Sequence, residues 1–254
     1  QGTMLRPMRV ELTPGTVALV AGGPGDPDLL TLAACRALEQ ADVVLYDYLA
    51  PDVAGLVRSG TELIAVGKRP RSTDATSQDD INALLVAQAK AGRRVVRLKG
   101  GDNYVFGRGG EEWLHCADAG VPVIVIPGVT SATSAPAFAG IPVTHRSLSQ
   151  GFTVVSGRAA PGHATSTIDW RALARSGTTL VLLMGVKNLA AIAAELRDGG
   201  LSSDTPAAIV SSAFGETASV VRGTLATIAD QAVSAGVRPP SIVVIGAVAG
   251  LDLS

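Results

Sequence analysis

The fold is decided by the stretch Arg94-Val-Val-Arg-Leu-Lys-Gly-Gly-Asp-Asn-Tyr-Val-Phe-Gly-Arg-Gly-Gly-Glu-Glu112. It begins with an apolar and basic run that is typical of a strand, continues as a glycine-rich loop, and ends on two carboxylates that can start a helix. Glycine allows a backbone to turn sharply and to approach a ligand closely. Open α/β sheets bind ligands beyond the carboxyl ends of their strands. The stretch therefore predicts a strand, a ligand-binding loop and a helix, and it disfavours a flexible surface turn.

Short β-branched runs alternate with helical patterns in the first half of the chain. Asp26 is a candidate cap for the first helix, with Pro27 at its first position. A capping-box pattern at Ser77-Gln-Asp-Asp80 predicts a second helix that ends before Gly92. This βαβ rhythm indicates a mostly parallel sheet with helices on both faces. The predicted strands are 17–21, 43–46, 63–66, 94–98 and 121–126.

A second set of elements begins after Pro127-Gly128. The segment Val220–Gly223 follows the preceding strand too closely for a helical crossover, which predicts an antiparallel pair and hence a mixed sheet. We therefore expect two α/β domains, 15–128 and 129–254. The strands predicted in the second domain are 152–156, 179–183, 207–211, 220–223 and 241–247, and the helices are 169–175, 189–198 and 225–235.

Composition restricts the classes of protein to consider. The 254 residues are 47% hydrophobic and carry a net charge of −1, so bulk binding to nucleic acid or to an acidic membrane surface is not expected. Two cysteines far apart in sequence favour free thiols over a disulfide, and three scattered histidines argue against a zinc site. No apolar signal core and no run of about eighteen apolar residues is present, which predicts a soluble cytoplasmic protein.

The glycine-rich loop at 100–112 resembles the central signature of the uroporphyrinogen-III C-methyltransferases, within the tetrapyrrole methylase family. The resemblance extends from about Val17 to about Ala247. It implies two α/β domains of the tetrapyrrole methylase type, with the active site in the cleft between them, and a homodimer. The other segments that match in family order are Gly23–Leu32, Ala41–Asp47, Val66–Arg69, Pro127–Ala132 and Ala139–Arg146.

The same resemblance implies S-adenosylmethionine as the methyl donor, S-adenosylhomocysteine as the product, and no metal. From its residue type alone, Met184 would be assigned to the core. The turn Gly22–Pro27 is not a dinucleotide fingerprint, because Asp28 stands at the position of the last glycine, and this disfavours a Rossmann oxidoreductase. The cofactor-binding residues implied by the resemblance are Pro24, Gly100, Gly101, Asp102, Val105, Thr130, Ser131, Met184 and Ala213.

Candidate substrate-binding and catalytic residues lie on loops at strand ends. Uroporphyrinogen III is rich in carboxylates, which guanidinium groups bind well, and the resemblance favours Arg108 and Arg146 for this role. Asp47 follows an apolar strand, where sites form, although it could also cap the following segment. The resemblance implies that Asp47 accepts a proton and that Lys68 donates one.

The expected reaction is two successive methyl transfers to uroporphyrinogen III, giving precorrin-2 for siroheme or cobalamin synthesis. Methylation of a later precorrin or of a protein side chain is the alternative, and a non-catalytic nucleotide-binding module is disfavoured by the acidic and basic groups at strand ends. Asn103-Tyr104 stands where family members carry Pro-Phe, and loss of the proline should loosen the loop by up to about 1 kcal/mol. Arg158 and Leu183 also depart from the family pattern, which leaves details of substrate contact open.

Overall fold

A computed structural model describes residues 10–67 and 76–253 of the chain. The chain divides after Thr130 into two compact units. In the described part of the first unit, five parallel strands form one sheet in the order β3-β2-β4-β1-β5. The strands are β1 (Val17–Ala21), β2 (Val43–Tyr46), β3 (Glu62–Ala65), β4 (Val95–Lys99) and β5 (Val123–Ile126), and the helices are α1 (Leu32–Gln40), α2 (Gln78–Lys90) and α3 (Gly109–Asp118).

Alternation along β1 shows how this sheet is covered on both faces. Ala18 and Val20 belong to a core cluster with Ala37 of α1, whereas Val17 and Leu19 belong to a second cluster with residues of α2 and α3. Successive side chains of a strand point to opposite faces, so an unbroken apolar strand has both faces buried. Each fully buried Val or Leu contributes about 1.5–3 kcal/mol.

The second unit contains a mixed sheet in the order β6-β7-β10-β8-β9. β6 and β7 are parallel, and the remaining pairs are antiparallel, including the predicted pair β8–β9. The strands are β6 (Phe152–Ser156), β7 (Thr179–Leu183), β8 (Pro206–Ser211), β9 (Ser219–Thr224) and β10 (Ser241–Ile245). The helices are α4 (Ser131–Phe138), α5 (Trp170–Ala174), α6 (Leu189–Asp198) and α7 (Ile228–Ser234).

Local signals predicted most element ends, with informative exceptions. The capping box of Ser77 and Asp80 is present, and α2 ends before Gly92. The assignment of Asp26 to the first helix was wrong: Asp26 caps a 3-10 turn at Pro27–Leu29, and Thr31 caps α1 by accepting a hydrogen bond from Ala34 N. The last strand ends two residues earlier than predicted because Gly246, at φ 146°, turns the chain out of the sheet.

Candidate active site

The carboxyl edge of the parallel sheet has a topological switch point between β1 and β4. From β1 the chain crosses to β2 on one side, and from β4 it crosses to β5 on the other side. In such sheets ligands bind in the crevice outside the carboxyl ends of the strands at the switch point. The two loops that leave this point are joined by backbone hydrogen bonds from Gly23 N to Gly101 O (3.1 Å) and from Gly101 N to Gly23 O (2.6 Å). The structure therefore brings the Pro24 turn and the Gly100–Asp102 loop together.

Two adjacent glycines in this loop have different structural roles. A Cβ on Gly100 would lie 2.8 Å from Leu49 Cβ, so this glycine allows two loops to pack closely. Gly101 has φ 70°, and apart from Gly101 and its two chain neighbours no heavy atom of the described residues lies within 4 Å of the position its Cβ would take. The backbone at Gly101 is therefore open to a ligand, and this space fits the close approach that an S-adenosylmethionine site needs.

The Asp102 carboxylate holds the loops of β4 and β5 together. Its Oδ1 accepts a hydrogen bond from Tyr104 N (2.9 Å), and its Oδ2 accepts one from Gly128 N (3.0 Å). A carboxylate oxygen has a second lone pair, so both atoms can still accept from a ligand. Val105, half-buried, donates its N–H to Asp102 O at 3.3 Å, which closes the turn.

Asn103, which stands where family members carry proline, makes side-chain hydrogen bonds that anchor its loop. Its side chain is fully buried, and Nδ2 donates to the carbonyl oxygens of Leu19 (2.9 Å) and Ile126 (3.2 Å). Its own carbonyl accepts from Gly109 N at 3.0 Å. Each such bond contributes about 0.5–1.5 kcal/mol, while Oδ1 of the same amide is buried without a hydrogen-bond partner among the described residues. The loop is thus anchored to β1 and β5 by a side chain that proline does not have.

Asp47 lies directly after β2, beside a pocket of about 570 Å³. Its Oδ1 accepts from Arg97 Nη2 at 2.7 Å, and 26% of its side chain is exposed. Among the described residues no backbone N–H donates to this carboxylate, so the Asp47 side chain does not cap the segment that follows it. Burial, followed by the charge of Asp47, raises the pKa of Tyr48, which lines the same pocket. Lys68, the predicted proton donor, lies outside the described residues.

A buried ionic network behind Asp47 was missed by the sequence analysis. Oε1 of the fully buried Glu112 accepts from Arg97 Nε (3.0 Å), Lys99 Nζ (2.9 Å) and Gln78 Nε2 (3.2 Å). Burial lowers the pKa of Lys99, the Arg97 charge adds to this, and Glu112 opposes it. The sequence does contain a signal for this network, because every second residue of β4 lies on the same face of the strand: Val95, Arg97 and Lys99. Charged side chains on a buried face require partners.

The two predicted substrate arginines differ in their surroundings. Arg108 has a left-handed backbone at φ 58°, is exposed, and is held by Glu111, with Nε 3.0 Å from Oε1. This hydrogen bond raises the pKa of Arg108. Arg146 lies in the exposed turn between His145 and Ser149, and it has no ion pair with any residue that the structure describes.

Three predicted cofactor residues belong to the second unit. Met184 follows β7 at φ 57° and is 44% exposed, so assigning it to the core would have been wrong. Ala213 follows β8 and packs against the cluster that contains Ala132 of α4. Since β10 is antiparallel to both β7 and β8, Met184 and Ala213 lie at the same sheet edge. Ser131 begins α4, and Thr130 ends the first unit.

Cationic side chains also line a pocket of about 550 Å³ next to the ends of β6 and β7. Arg158, one of the departures from the family pattern, lies there with His163, Lys187 and several hydroxyl groups. Within the described residues, no group of three His, Cys, Asp or Glu side chains is arranged to hold a metal ion, and no helix is long and apolar enough to cross a membrane.

A model of the Tetrapyrrole (Corrin/Porphyrin) Methylases matches residues 16–229. The chain belongs to the tetrapyrrole methylase family. Among solved structures, this methylase is similar to the native form of a uroporphyrin III C-methyl transferase from Thermus thermophilus, at 43% identity and a TM-score of 0.77, covering 92% of this chain and 98% of that one. A structure of the Thermus enzyme complexed with S-adenyl homocysteine gives the same identity and TM-score, over 93% and 94% of the two chains.

Siroheme synthases are also similar to this methylase. The protein from Chromobacterium violaceum is 47% identical over 238 residues, which cover 93% of this chain and 50% of the relative. The chain therefore spans about half the length of the curated relatives it matches. A cobalt precorrin-4 methyltransferase has a TM-score of 0.82 at 26% identity, over 93% of this chain and 97% of that one.

Proposed function

We propose that this methylase transfers two methyl groups in turn from S-adenosylmethionine to ring carbons of uroporphyrinogen III, giving precorrin-2 for siroheme or cobalamin synthesis. The observation that carries the proposal is the open, left-handed Gly101 at the switch point of the parallel sheet. Support comes from the Thermus enzyme, which was crystallised with S-adenyl homocysteine and shares 43% of its residues with this chain.

The candidate cofactor-binding residues lie at strand ends in each of the two units. In the first unit, Gly101 gives backbone access and Asp102 has carboxylate lone pairs available. In the second unit, Met184 and Ala213 lie on one sheet edge, and Met184 is exposed there. Pro24, Gly100, Val105, Thr130 and Ser131 complete the proposed set. When bound, S-adenosylmethionine supplies an electrophilic methyl group on its sulfonium.

Substrate binding is assigned to arginines, because the substrate is a polycarboxylate. Arg146 is exposed and lacks an ion-pair partner among the described residues, so its guanidinium is available for a substrate carboxylate. Arg108 already binds Glu111, so a substrate carboxylate would have to displace that partner. Arg158 and Lys187 add positive charge beside the second pocket, which agrees with an anionic substrate. Charge-assisted hydrogen bonds of this type are the strong ones.

Proton transfer is assigned to Asp47, with Lys68 proposed as the proton donor. Asp47 lines a pocket, and its Oδ2 makes no hydrogen bond to a described residue, so this oxygen can accept a proton. We expect Asp47→Asn to lower kcat by about 10²–10⁴-fold, the usual loss for a general base. Binding of both ligands should persist, because asparagine keeps the shape of the side chain. An Asp47→Asn rate within a few-fold of wild type would remove Asp47 from the mechanism.

Methylation of a later precorrin is the second candidate. It is favoured by the higher TM-score, 0.82, to the cobalt precorrin-4 methyltransferase, although the identity is only 26%. The uroporphyrinogen reaction is preferred because identity to the Thermus enzyme reaches 43% over nearly the whole of that chain. Sequence identity reflects the side chains that line a pocket, whereas the TM-score compares only backbones. Sequence identity is therefore the better guide to function, since function depends on the site rather than on the fold.

The deciding experiment is anaerobic incubation with uroporphyrinogen III and S-adenosylmethionine, followed by mass spectrometry of the tetrapyrrole. We expect a product heavier by two methyl groups, preceded in time by one heavier by a single methyl group. S-adenosylhomocysteine should form only when the tetrapyrrole is present. Failure to methylate uroporphyrinogen III while a later precorrin is methylated would overturn the proposal in favour of the second candidate.

The proposal also includes a homodimer, which the family resemblance implies, and a cytoplasmic location, which is the expectation from the sequence. Light scattering coupled to size-exclusion chromatography measures the mass directly. A mass equal to one chain of 25.7 kDa at micromolar concentration would contradict the dimer.

A further inference from the structure

Arg97 holds the Asp47 carboxylate from inside the protein. Its side chain is 2% exposed, and Nη2 lies 2.7 Å from Asp47 Oδ1. We infer that Arg97 is a positioning residue that fixes Asp47 for proton acceptance. This inference rests on the proposed function, because it deepens the role of Asp47 in that reaction.

Every nitrogen of the Arg97 guanidinium is engaged, so the group cannot rotate freely. Nε donates to Glu112 Oε1 at 3.0 Å, and Nη1 lies within 3.4 Å of Leu45 O and within 3.3 Å of Leu98 O. The planar guanidinium presents its donors in a fixed geometry. Because Glu112 and two backbone carbonyls fix its plane, Nη2 fixes the position of Asp47 Oδ1.

Because Arg97 binds one carboxylate oxygen of Asp47, the other oxygen is available to accept a proton. Oδ2 of Asp47 makes no hydrogen bond to any residue the structure describes, and the side chain lines the pocket. When the methyl–carbon bond forms, the bond between that methyl and the sulfonium sulfur would break and S-adenosylhomocysteine would leave. A C–H bond of the macrocycle then breaks, its electron pair stays in the ring, and the proton goes to Oδ2. Small misplacements of such a group cost about 100-fold in rate, which is the reason to hold it rigidly.

The network does not act as a proton relay. Arg97 stands between Asp47 and the Glu112–Lys99 pair, and arginine stays protonated in proteins. A proton accepted by Asp47 therefore leaves through the pocket. Glu112 and Lys99 act only by keeping Arg97 in place and by balancing the buried charge. Among the described residues, the other titratable groups that line the same pocket are Tyr46, Tyr48 and Asp52.

A second ion pair between the same two chain segments provides a matched control. Arg94, next to the amino end of β4, binds Asp42, next to the amino end of β2, with Nε–Oδ2 at 3.0 Å and Nη2–Oδ1 at 3.1 Å. Arg97 and Asp47 make the equivalent link near the carboxyl ends of these strands. Both pairs join β2 to β4, but only the second reaches the pocket.

The test is a double-mutant cycle on kcat, with methylation of uroporphyrinogen III measured at saturating concentrations of both ligands. Arg97→Lys keeps the charge but loses the fixed geometry, so kcat should fall about 10- to 100-fold with little change in KM for either ligand. Combined with Asp47→Asn, it should cause no further loss. Arg94→Lys should keep the wild-type kcat. If Arg97→Lys does not fold, Glu112→Asp loosens the same guanidinium and should give the same non-additive pattern.

The possible outcomes separate this inference from the function it rests on. A lower melting temperature with unchanged kcat, or losses that multiply in the Asp47→Asn background, would overturn the positioning role alone. An active wild type with an equally active Asp47→Asn would remove both Asp47 and Arg97 from the mechanism and leave the function standing. A wild type that methylates no uroporphyrinogen III would overturn the function and this inference together.

Discussion

Replacing Glu112 by glutamine should destabilise the protein strongly. Glu112 is fully buried, and its Oε1 accepts from Arg97 (2% exposed) and Lys99 (5% exposed). Glutamine has nearly the same shape but no charge, so two buried cations would keep only Asp47 as a counter-ion. Breaking a buried ion pair costs about 3–5 kcal/mol. For a chain of this size, that loss corresponds to a fall in melting temperature of about 6–20 °C.

The neighbouring residue gives the control. Glu111→Gln makes the same chemical change one position earlier in α3, but it removes only the exposed pair with Arg108. Such a surface pair contributes less than about 1 kcal/mol. Urea denaturation of wild type and both variants, followed by circular dichroism, measures the difference. Equal midpoints for Glu112→Gln and Glu111→Gln would refute the argument that the buried network stabilises the fold.

The pH dependence of the Glu112→Gln variant provides a second measurement. Burial and Arg97 lower the pKa of Lys99 below 10.5, and Glu112 limits this decrease. Without Glu112 the folded-state pKa of Lys99 should fall further. At pH values between the folded-state and unfolded-state pKa of Lys99, the unfolded protein binds more protons than the folded protein. The free energy of unfolding therefore rises with pH in this range. The rise should begin at a lower pH in Glu112→Gln than in wild type.

Three further predictions concern the cofactor loop, the substrate arginines and acid stability. Gly101→Val should abolish S-adenosylmethionine binding in calorimetry, because it fills the open space and strains a backbone at φ 70°; unchanged affinity in a folded variant would contradict this. Arg146→Ala should lower kcat/KM for the tetrapyrrole about 10- to 100-fold. Arg108→Ala should have a smaller effect, because Glu111 already binds the Arg108 guanidinium. A larger loss in Arg108→Ala than in Arg146→Ala would be inconsistent with the assignment. Asp42→Asn should reduce the loss of stability that occurs as the pH falls from 4 towards 2. The Arg94 hydrogen bond lowers the pKa of Asp42 to about 2, so the stabilisation from this pair is present above pH 4 and is lost as the pH falls towards 2. Acid titrations of the variant that coincide with those of wild type would exclude this.

The sequence determined the elements whose signals are local. β1, β2, β6, β7 and α6 have the predicted bounds, because apolar runs and helical periodicity act over neighbouring residues. The capping box at Ser77 also formed as predicted, since its two hydrogen bonds span only three residues. The glycine-rich loop was also predicted correctly to follow β4. Glycine density and a preceding apolar strand are local features of the sequence, so they can be recognised without knowing which residues the loop contacts.

Only the tertiary structure decided how these residues pair. Arg97 and Lys99 could be read as basic residues on a strand, but their partners Asp47 and Glu112 are distant in sequence, and a charge pattern does not specify distant contacts. Asn103 looked like the loss of a rigid proline, yet its amide reaches carbonyls of β1 and β5, which are brought beside it by strand order. Hydrophobic periodicity fixes which face of an element is buried. The pairing of polar groups depends instead on which strands become neighbours. Those neighbours are given by the sheet order β3-β2-β4-β1-β5, which exists only in the folded chain.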